Sequence, residues 1–390
     1  MKDVYIVATE SAKPVRYADF QEALEAEEGA FQPGMGKEWS FRLTSSDADI
    51  HVEFESREAL GWSPDLLTGS ADAHAVLRKA RGFYRIAFEP GKPQPTAAVF
   101  EALWCARALL EKSTGVLVDT MAYRLHELSD VVDITELEFD IRDHINLHAV
   151  EVIEGETPLW VHSHGMEKFA TRDVEVFHLS EDDLLPAESF LHELCTDMAF
   201  GQGPQARTVM ETSNSQSFML VPSEEARPTL MGVALDSFEG HEGLFFTVTS
   251  GEGRHMVSEL LKPYRSRFEE EEPEEAAAHM ERARRLMPSF KARFQRRGWM
   301  EPITFLVRAT FETNPGEAPV NEDLWLEVLS WEEQQLVGKL VDGSSHTTEW
   351  RKGAAVEVSE GEINAISLGR DGKAVDEAEL QRLLSAERPS

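Results

Sequence analysis

The chain has 390 residues, of which 42% are apolar and 9% aromatic, so its composition excludes the acidic, aromatic-poor class of disordered proteins. Its 38 Lys and Arg residues against 71 Asp and Glu give a formal net charge of −33 at pH 7 with His neutral, which disfavours binding to nucleic acids or anionic membranes. At roughly 150 residues per domain, the length predicts two or three domains.

The N-terminal residues and the two cysteines favour a cytoplasmic protein. The apolar run at 4–8 is shorter than the core of about 7 residues or more that a signal peptide needs. No apolar run approaches the roughly 18 residues that would cross a bilayer. Cys105 and Cys195 are too distant in sequence to form the spaced pairs of a disulfide framework or a metal-binding motif.

Residues 1–130 predict an N-terminal α+β domain. Apolar and polar residues alternate over 50–55, which is typical of a half-buried strand. Apolar residues at helical spacing follow Pro95 and predict a helix that ends before Gly115. Further strands are predicted at 4–8, 83–88 and 116–118, and a further helix at 17–28.

Residues 131–268 predict a central α+β domain, with strands around 150–152, 160–162, 174–176, 219–221 and 244–249. A helix predicted over 187–200 places Leu191, Leu194 and Cys195 on one buried stripe. We therefore expect Cys195 to be a core residue and not a nucleophile paired with His192, because a catalytic thiolate needs accessible, electropositive surroundings. Cys105 also lies among apolar residues and is expected in the core.

An abrupt change of charge marks the next boundary. Residues 269–278 predict an acidic linker and a helix start, since carboxylates are favoured at the positive end of a helix. The stretch 279–297 then carries seven Lys and Arg against one Glu, on an amphipathic pattern that Pro288 is expected to divide into two helices. Such a stretch can bind membranes or partner grooves, but we expect its arginines to face the carboxylates of an acidic body.

Residues 279–390 predict a C-terminal β-rich domain. Strands are expected at 303–311, 324–331, 335–341, 354–358 and 363–368, with a polar helix at 376–385, as in a small antiparallel sheet or barrel. The predicted fold class is therefore α+β and multidomain. Two α/β-layer domains are followed by a small antiparallel β-rich domain with flanking helices.

A cluster of histidines is one candidate site. Five of the thirteen lie within 144–178, where an even spread would place about one: His144, His148, His162, His164 and His178. If 160–164 is one strand, His162 and His164 project from the same face and begin a zinc site, with Asp143 or Glu175 as an oxygen ligand and an open position for water. The alternative is that these histidines make structural hydrogen bonds.

A second candidate site lies on two strands of the C-terminal domain. Arg308 would face a strand carrying Trp325, Glu327 and Trp331. If those three side chains share the outward face, they form a partner-binding surface, because aromatic residues and Arg are common interface anchors. In the alternative, the tryptophans cap a small core and Glu327 pairs with Arg308.

The C-terminal region resembles the bacterial domain of unknown function 2314 over about 110 residues. The matching residues are His279-Met280, Ala283-Arg284, Pro288-Ser289-Phe290, Phe305-Leu306-Val307-Arg308, Phe311, Glu322-Asp323-Leu324-Trp325-Leu326-Glu327-Val328, Gly338-Lys339-Leu340 and Gly353-Ala354-Ala355-Val356-Glu357-Val358. Where the family has Asp-Trp, this chain has Asn364-Ala365. Residues 160–175 look like segments that accompany that domain in uncharacterised bacterial proteins. The resemblance implies a bacterial multidomain protein and no reaction.

The sequence supports three functional hypotheses. The chain has no Gly-rich phosphate loop, Gly-x-Ser-x-Gly elbow or His-Glu-x-x-His motif, which excludes the best-marked enzyme classes. The first hypothesis is a non-enzymatic acidic protein that binds a basic protein partner, such as an immunity-like inhibitor of a nuclease toxin, because opposite charge steers association. The second is a metal-dependent hydrolase that uses the histidine cluster, with zinc as its cofactor. The third is a regulatory or scaffold module that docks a partner through the C-terminal domain.

Overall fold

The chain folds as two compact units, Met1–Glu269 and Glu270–Ser390. The structure, a computed structural model, describes residues 3–26, 32–33, 39–44, 48–57, 64–90, 95–151, 159–202, 206–212, 216–230, 238, 243–253, 257–265, 273–297, 303–313, 320–341, 343–344, 350–370, 373–375 and 377–385. The predicted acidic linker at 269–272 lies outside these residues, whereas the helix start after it lies within them.

An antiparallel sheet of seven strands builds the N-terminal part of the first unit. Its spatial order is β2-β3-β4-β5-β1-β6-β7. The strands are β1 Asp3–Thr9, β2 Gln32–Pro33, β3 Ser40–Thr44, β4 Ala48–Ser56, β5 Gly82–Pro90, β6 Gly115–Asp119 and β7 Arg124–His126. The helices that accompany them are α1 Tyr17–Ala26, α2 Ala71–Lys79 and α3 Pro95–Leu110.

Strand alternation directs the two faces of this sheet to different helices. On β1, Tyr5 and Val7 belong to the main core with α3, whereas Ile6 and Ala8 belong to a smaller cluster with α2. Helix α3 is apolar on most of its surface, and it is buried because it packs between the sheet and the rest of the unit. Cys105 on α3 is buried in that core, as expected.

A second sheet of six strands builds the rest of the first unit, in the order β11-β12-β13-β10-β9-β8. Its strands are β8 Asn146–Glu151, β9 Leu159–His164, β10 Asp173–Leu179, β11 Val209–Glu211, β12 Ser217–Pro222 and β13 Phe245–Ser250. The pair β10 and β13 is parallel, and the other described pairs are antiparallel. The helices are α4 Leu128–Glu136, α5 Leu184–Ala199, α6 Ser223–Ala226 and α7 Ser258–Arg265.

The two sheets of the first unit share one hydrophobic core. Leu117 of the first sheet and Val161, Val174 and Leu191 of the second sheet and its helix belong to the same cluster of buried side chains. The segments 1–130 and 131–268, for which the sequence predicts separate domains, therefore pack together as parts of one unit. Shared burial of apolar surface is the physical reason for this arrangement.

A fully buried ion pair also joins the two sheets. Lys168, in a 3₁₀ turn after β9, donates through Nζ to Oδ2 of Asp119 at the end of β6, and both residues are 1% exposed. The other carboxylate oxygen of Asp119 accepts the backbone N–H groups of Met121 and Ala122 at 3.0 and 2.9 Å. Removing either charge from water costs free energy. The pairing of the two charges and the two backbone hydrogen bonds to Asp119 offset that desolvation cost.

The second unit is a six-stranded antiparallel sheet with two described helices. Its order is β17-β16-β15-β14-β18-β19, an open sheet in the described residues. The elements are α8 Pro273–Gln295, β14 Ile303–Thr313, β15 Val320–Glu332, β16 Gln335–Leu340, β17 Ala355–Ser359, β18 Ile363–Arg370, β19 Lys373–Ala374 and α9 Glu377–Ser385. The prediction of an α+β protein with a C-terminal β-rich domain is confirmed.

Helix α8 corrects one prediction, because it continues through Pro288 as a single helix. Met287, Phe290 and Phe294 on both sides of the proline are buried in the core of this unit, and that packing outweighs the lost backbone hydrogen bond. Several of the basic residues act within the unit: Lys291 pairs with Glu360, buried Arg293 donates to a backbone carbonyl of α9, and Arg297 donates to the carbonyl of Leu329. Among the described residues, none of the helices is long and apolar enough to cross a bilayer.

The ion pair between the sheets gives a first prediction. We expect Lys168→Met to lower the free energy of unfolding by about 3–5 kcal/mol, because it leaves the Asp119 carboxylate buried without its cation. Adding Asp119→Asn should recover part of that loss, since the amide oxygen still accepts the two backbone N–H groups. Urea denaturation of both variants measures this, and equal stability of Lys168→Met and wild type would contradict it.

Asp173 gives a second prediction, on pH. Burial raises the pKa of this carboxyl to about 6, although the backbone of Met166 and the hydroxyl of Ser163 donate to it. The folded protein therefore holds a proton between about pH 4 and 6 that the unfolded chain has lost, and this group's contribution to stability falls by about 3 kcal/mol as pH rises through that window. The Asp173→Asn variant keeps the acceptor oxygen and should lack this fall. A stability difference between variant and wild type that does not change between pH 4 and 7 would contradict the prediction.

Candidate functional site

Three histidines of the predicted cluster meet on one face of the second sheet. His162 and His164 are two residues apart on β9, so their side chains leave the strand on the same side. The register of the neighbouring β8 places His148 directly opposite His162, on that same face. The opposite face of β9 carries Val161, which is part of the main hydrophobic core.

The spacing of these imidazoles fits a metal centre. The Nε2 atoms of His162 and His164 are 3.2 Å apart. Two nitrogen ligands of a tetrahedral zinc ion, each at about 2.0–2.1 Å, lie about 3.3 Å from one another. One ligand atom from each of His148, His162 and His164 lies within 4.8 Å of the others, so a small rotation of the His148 ring would complete the set. Among the described residues these three form the one such group.

Packing around the rings fixes their orientations. Trp160 stacks on His162 with ring centroids 4.1 Å apart, and the ring of Phe245 lies 5.8 Å from His162. The amide Nδ2 of Asn146 lies 3.0 Å from Nε2 of His148. Because an amide N–H donates, this contact orients the His148 ring but uses the lone pair of Nε2, so a metal ion bound at Nε2 would have to displace the amide. His162 is fully buried, whereas His148 and His164 are half-buried, so the group opens on the side of the latter two.

The oxygen ligands suggested by the sequence are not in this group. Glu175 lies opposite His162 on β10 and is fully buried, but its carboxylate accepts from Nη2 of Arg227 at 2.7 Å and from Oγ1 of Thr247 at 2.6 Å. Asp143 ends a 3₁₀ turn before β8 and is buried. Of the other two clustered histidines, His144 stacks on Phe139 at 4.8 Å and His178 lies further along β10.

His148 is the member of this group that the spacing along β9 does not predict. Asn146, His148 and Val150 stand at every second position and therefore share one face of a strand. The sequence thus contains a signal for the direction of the His148 side chain. Its position opposite His162 depends on the strand register, which the residues between the strands do not reveal. Residues 152–158 between β8 and β9 lie outside the described part of the chain.

Cys195 and His192 are both placed as expected, away from any nucleophilic role. Cys195 is buried on α5, and burial raises the pKa of its thiol well above the ordinary value. Burial lowers the pKa of His192 to about 4. A neutral thiol and a neutral imidazole are the opposite of the charged pair that an active cysteine needs.

The proposed partner-binding face of the second unit keeps three of its four residues. Arg308 on β14 lies directly opposite Trp325 on β15, and Glu327 is two residues further along the same face, opposite Leu306 and Lys339. All three are half-buried.

Trp331 does not belong to this face, which corrects the prediction for that residue. The register between β15 and β16 shifts between Val328 and Ser330, and this bulge reverses the alternation of the side chains beyond it. Trp331 therefore points into the core, where its ring centroid lies 6.2 Å from Phe290 and 6.0 Å from Phe294.

Arg308 is held by polar neighbours on its own face. Its Nε donates to Oδ1 of Asn364 at 2.9 Å and lies 3.6 Å from Oδ2 of Asp323. Nδ2 of Asn364 also donates to Asp323, at 2.9 Å, which closes a network of three side chains. Asp323 is thus an ionic partner of Arg308, in the place where the sequence suggested Glu327.

Comparisons of the chain with protein-family models, with curated proteins and with solved structures found no match. The resemblance of the C-terminal region to the domain of unknown function 2314 therefore stays a prediction. Function is inferred instead from the arrangement of the histidines and of the Arg308 face.

The bulge in β15 predicts different roles for its two tryptophans. Trp331→Ala should lower the stability of the second unit by about 3–5 kcal/mol, because it empties a core position. Trp325→Ala should cost clearly less, since that ring is half-buried on the other face. Urea denaturation of the two variants compares them, and an equal or larger loss for Trp325→Ala would contradict the assigned orientations.

Proposed function

We propose that the protein is a metal-dependent hydrolase whose metal ion is held by His148, His162 and His164. The observation that carries this proposal is the convergence of three imidazole nitrogens within 4.8 Å on one sheet face. Three histidines are the donor set of a catalytic zinc site in which the fourth position is left to water. The half-buried rings of His148 and His164 give that position access to solvent.

The chemistry follows from the charge of the ligands. Three neutral imidazoles leave the full double charge of a divalent ion at the site, and such a charge lowers the pKa of a bound water to about 7. Trp160, stacked on His162, and Phe245, edge to face with it, surround this ring with apolar surface, which strengthens electrostatic interactions there. The buried ion pair of Glu175 and Arg227 adds no net charge next to the ligands.

The hypothesis of an acidic protein that binds a basic partner stays a prediction, and it rests on the net charge of −33. It would explain the excess of carboxylates, and long-range attraction would favour a basic partner. The hypothesis of a docking module also stays a prediction, and it rests on the half-buried face of Arg308, Trp325 and Glu327. We rank both below the hydrolase, because the three histidines specify a chemistry and these surfaces specify only a charge or a residue type.

Metal binding tests the proposed function. Calorimetric titration of the metal-free protein with Zn²⁺ should give one site per chain, and His162→Ala should abolish it because the central ligand is lost. The matched control His51→Ala removes a histidine of the first sheet and should leave binding unchanged.

Two results would contradict the proposed function. One is a wild-type protein that takes up neither Zn²⁺ nor Co²⁺, shown by calorimetry and by elemental analysis after dialysis. The other is a bound ion whose affinity is the same in wild type and in His162→Ala. Circular dichroism of each variant shows whether the fold is retained, so that loss of binding is not loss of structure.

A further inference from the structure

Tyr123 combines an unusual backbone conformation with a place beside the histidines. It lies in the turn between β6 and β7 with φ of 54°, in the left-handed region that a tyrosine rarely adopts. The turn is pinned by two hydrogen bonds, from the N–H of Thr68 to the carbonyl of Tyr123 at 2.8 Å and from the N–H of Leu125 to the carbonyl of Thr68 at 2.7 Å. Strain of this kind persists where the surroundings hold it and is common at functional sites.

With this backbone conformation, the phenol ring of Tyr123 in the first sheet lies next to the histidines of the second sheet. The ring centroid of Tyr123 lies 5.2 Å from that of His164, edge to face at 85°. Tyr123 is 38% exposed, whereas His162 is fully buried. The phenol of Tyr123 is therefore a partly exposed group next to half-buried His164, on the side where the histidine group opens.

Two uncharged side chains, Asn146 and Thr68, lie on the Tyr123 side of the histidine group. Asn146 lies next to His148, and its Nδ2 is 3.4 Å from the hydroxyl of Thr68, which in turn donates to the carbonyl of Tyr123 at 3.2 Å. Phosphate esters are usually bound by Arg or Lys clamps. Arg227, on the same sheet face, is engaged with buried Glu175, and the net charge of −33 repels anions. An uncharged substrate suits these surroundings.

We infer that the substrate is an uncharged carboxylic ester and that the Tyr123 hydroxyl donates a hydrogen bond to its carbonyl oxygen. This inference rests on the proposed function. A water oxygen bonds to the carbonyl carbon while the π electron pair moves to the carbonyl oxygen, which the Tyr123 hydroxyl stabilises. The pair then re-forms the C=O bond, the bond to the alkoxy oxygen breaks, and the alcohol leaves with a proton from the attacking water. Ester and water thus become acid and alcohol, without a redox partner.

The test uses the zinc-loaded 390-residue chain with 4-nitrophenyl acetate and 4-nitrophenyl phosphate as probes. We expect turnover of the acetate above that of free Zn²⁺ at the same concentration, and none of the phosphate. Tyr123→Phe keeps the ring and should lower kcat for the acetate about 100-fold, with a smaller change in KM, because the lost hydrogen bond strengthens in the transition state. The matched control Tyr17→Phe, on α1, should behave as wild type.

The outcomes separate this inference from the proposed function. A protein that binds Zn²⁺ through the three histidines but hydrolyses the phosphate, or neither probe, overturns the substrate class and leaves the metal site intact. Equal kcat for wild type and Tyr123→Phe overturns the role of the hydroxyl. The absorption spectrum of the Co²⁺-loaded Tyr123→Phe protein should match that of wild type, which shows that the variant retains the metal site. If no metal binds, both proposals fall.

Discussion

The buried ion pair of Lys168 and Asp119 is the constraint on which the candidate site depends. Asp119 ends the strand that leads to Tyr123, and Lys168 lies in the turn that follows His164. One oxygen of the carboxylate receives the ammonium group, and the other fixes the backbone of the turn at Met121 and Ala122. The pair thus sets the end of one sheet against the end of the other. This contact brings the turn that carries Tyr123 close to the end of the strand that carries His164.

Side-chain alternation along the strands gives the second sheet two different faces. One face packs Val161, Val174 and other apolar side chains into the shared core, and the other carries a row of polar residues across adjacent strands. That row contains His148, His162, Glu175 and Thr247, which face one another through the strand register. Burying such a row is unfavourable unless each group has a partner, and Glu175 has two. The histidines have one another, which leaves their nitrogens close enough to share an ion.

Local patterns predicted the elements better than their assembly. Alternation and helical spacing located most strands and helices, and placed His162 with His164 on one face and Cys195 in the core. They did not show that His148 joins them, because pairing between strands depends on contacts distant in sequence. The prediction for Trp331 is wrong for a related reason. One extra residue in β15 moves every later side chain to the opposite face of the sheet, and the composition of the strand does not reveal it. The helix break predicted at Pro288 does not occur, because the packing of side chains on both sides of the proline keeps the helix continuous.

The single core of the first unit affects the order in which the chain can fold as it is made. Helix α3 buries eleven of its residues, including Cys105, and part of that burial is supplied by side chains that come later in the sequence. While the ribosome adds residues 130–170, the apolar surface of α3 lacks helix α4 and the 3₁₀ turn Met166–Phe169, which pack against it. Exposed surface of this kind favours aggregation during synthesis and is a common target of chaperones. The first sheet can fold early, but its main hydrophobic face is completed only after residues 166–169 have left the ribosome.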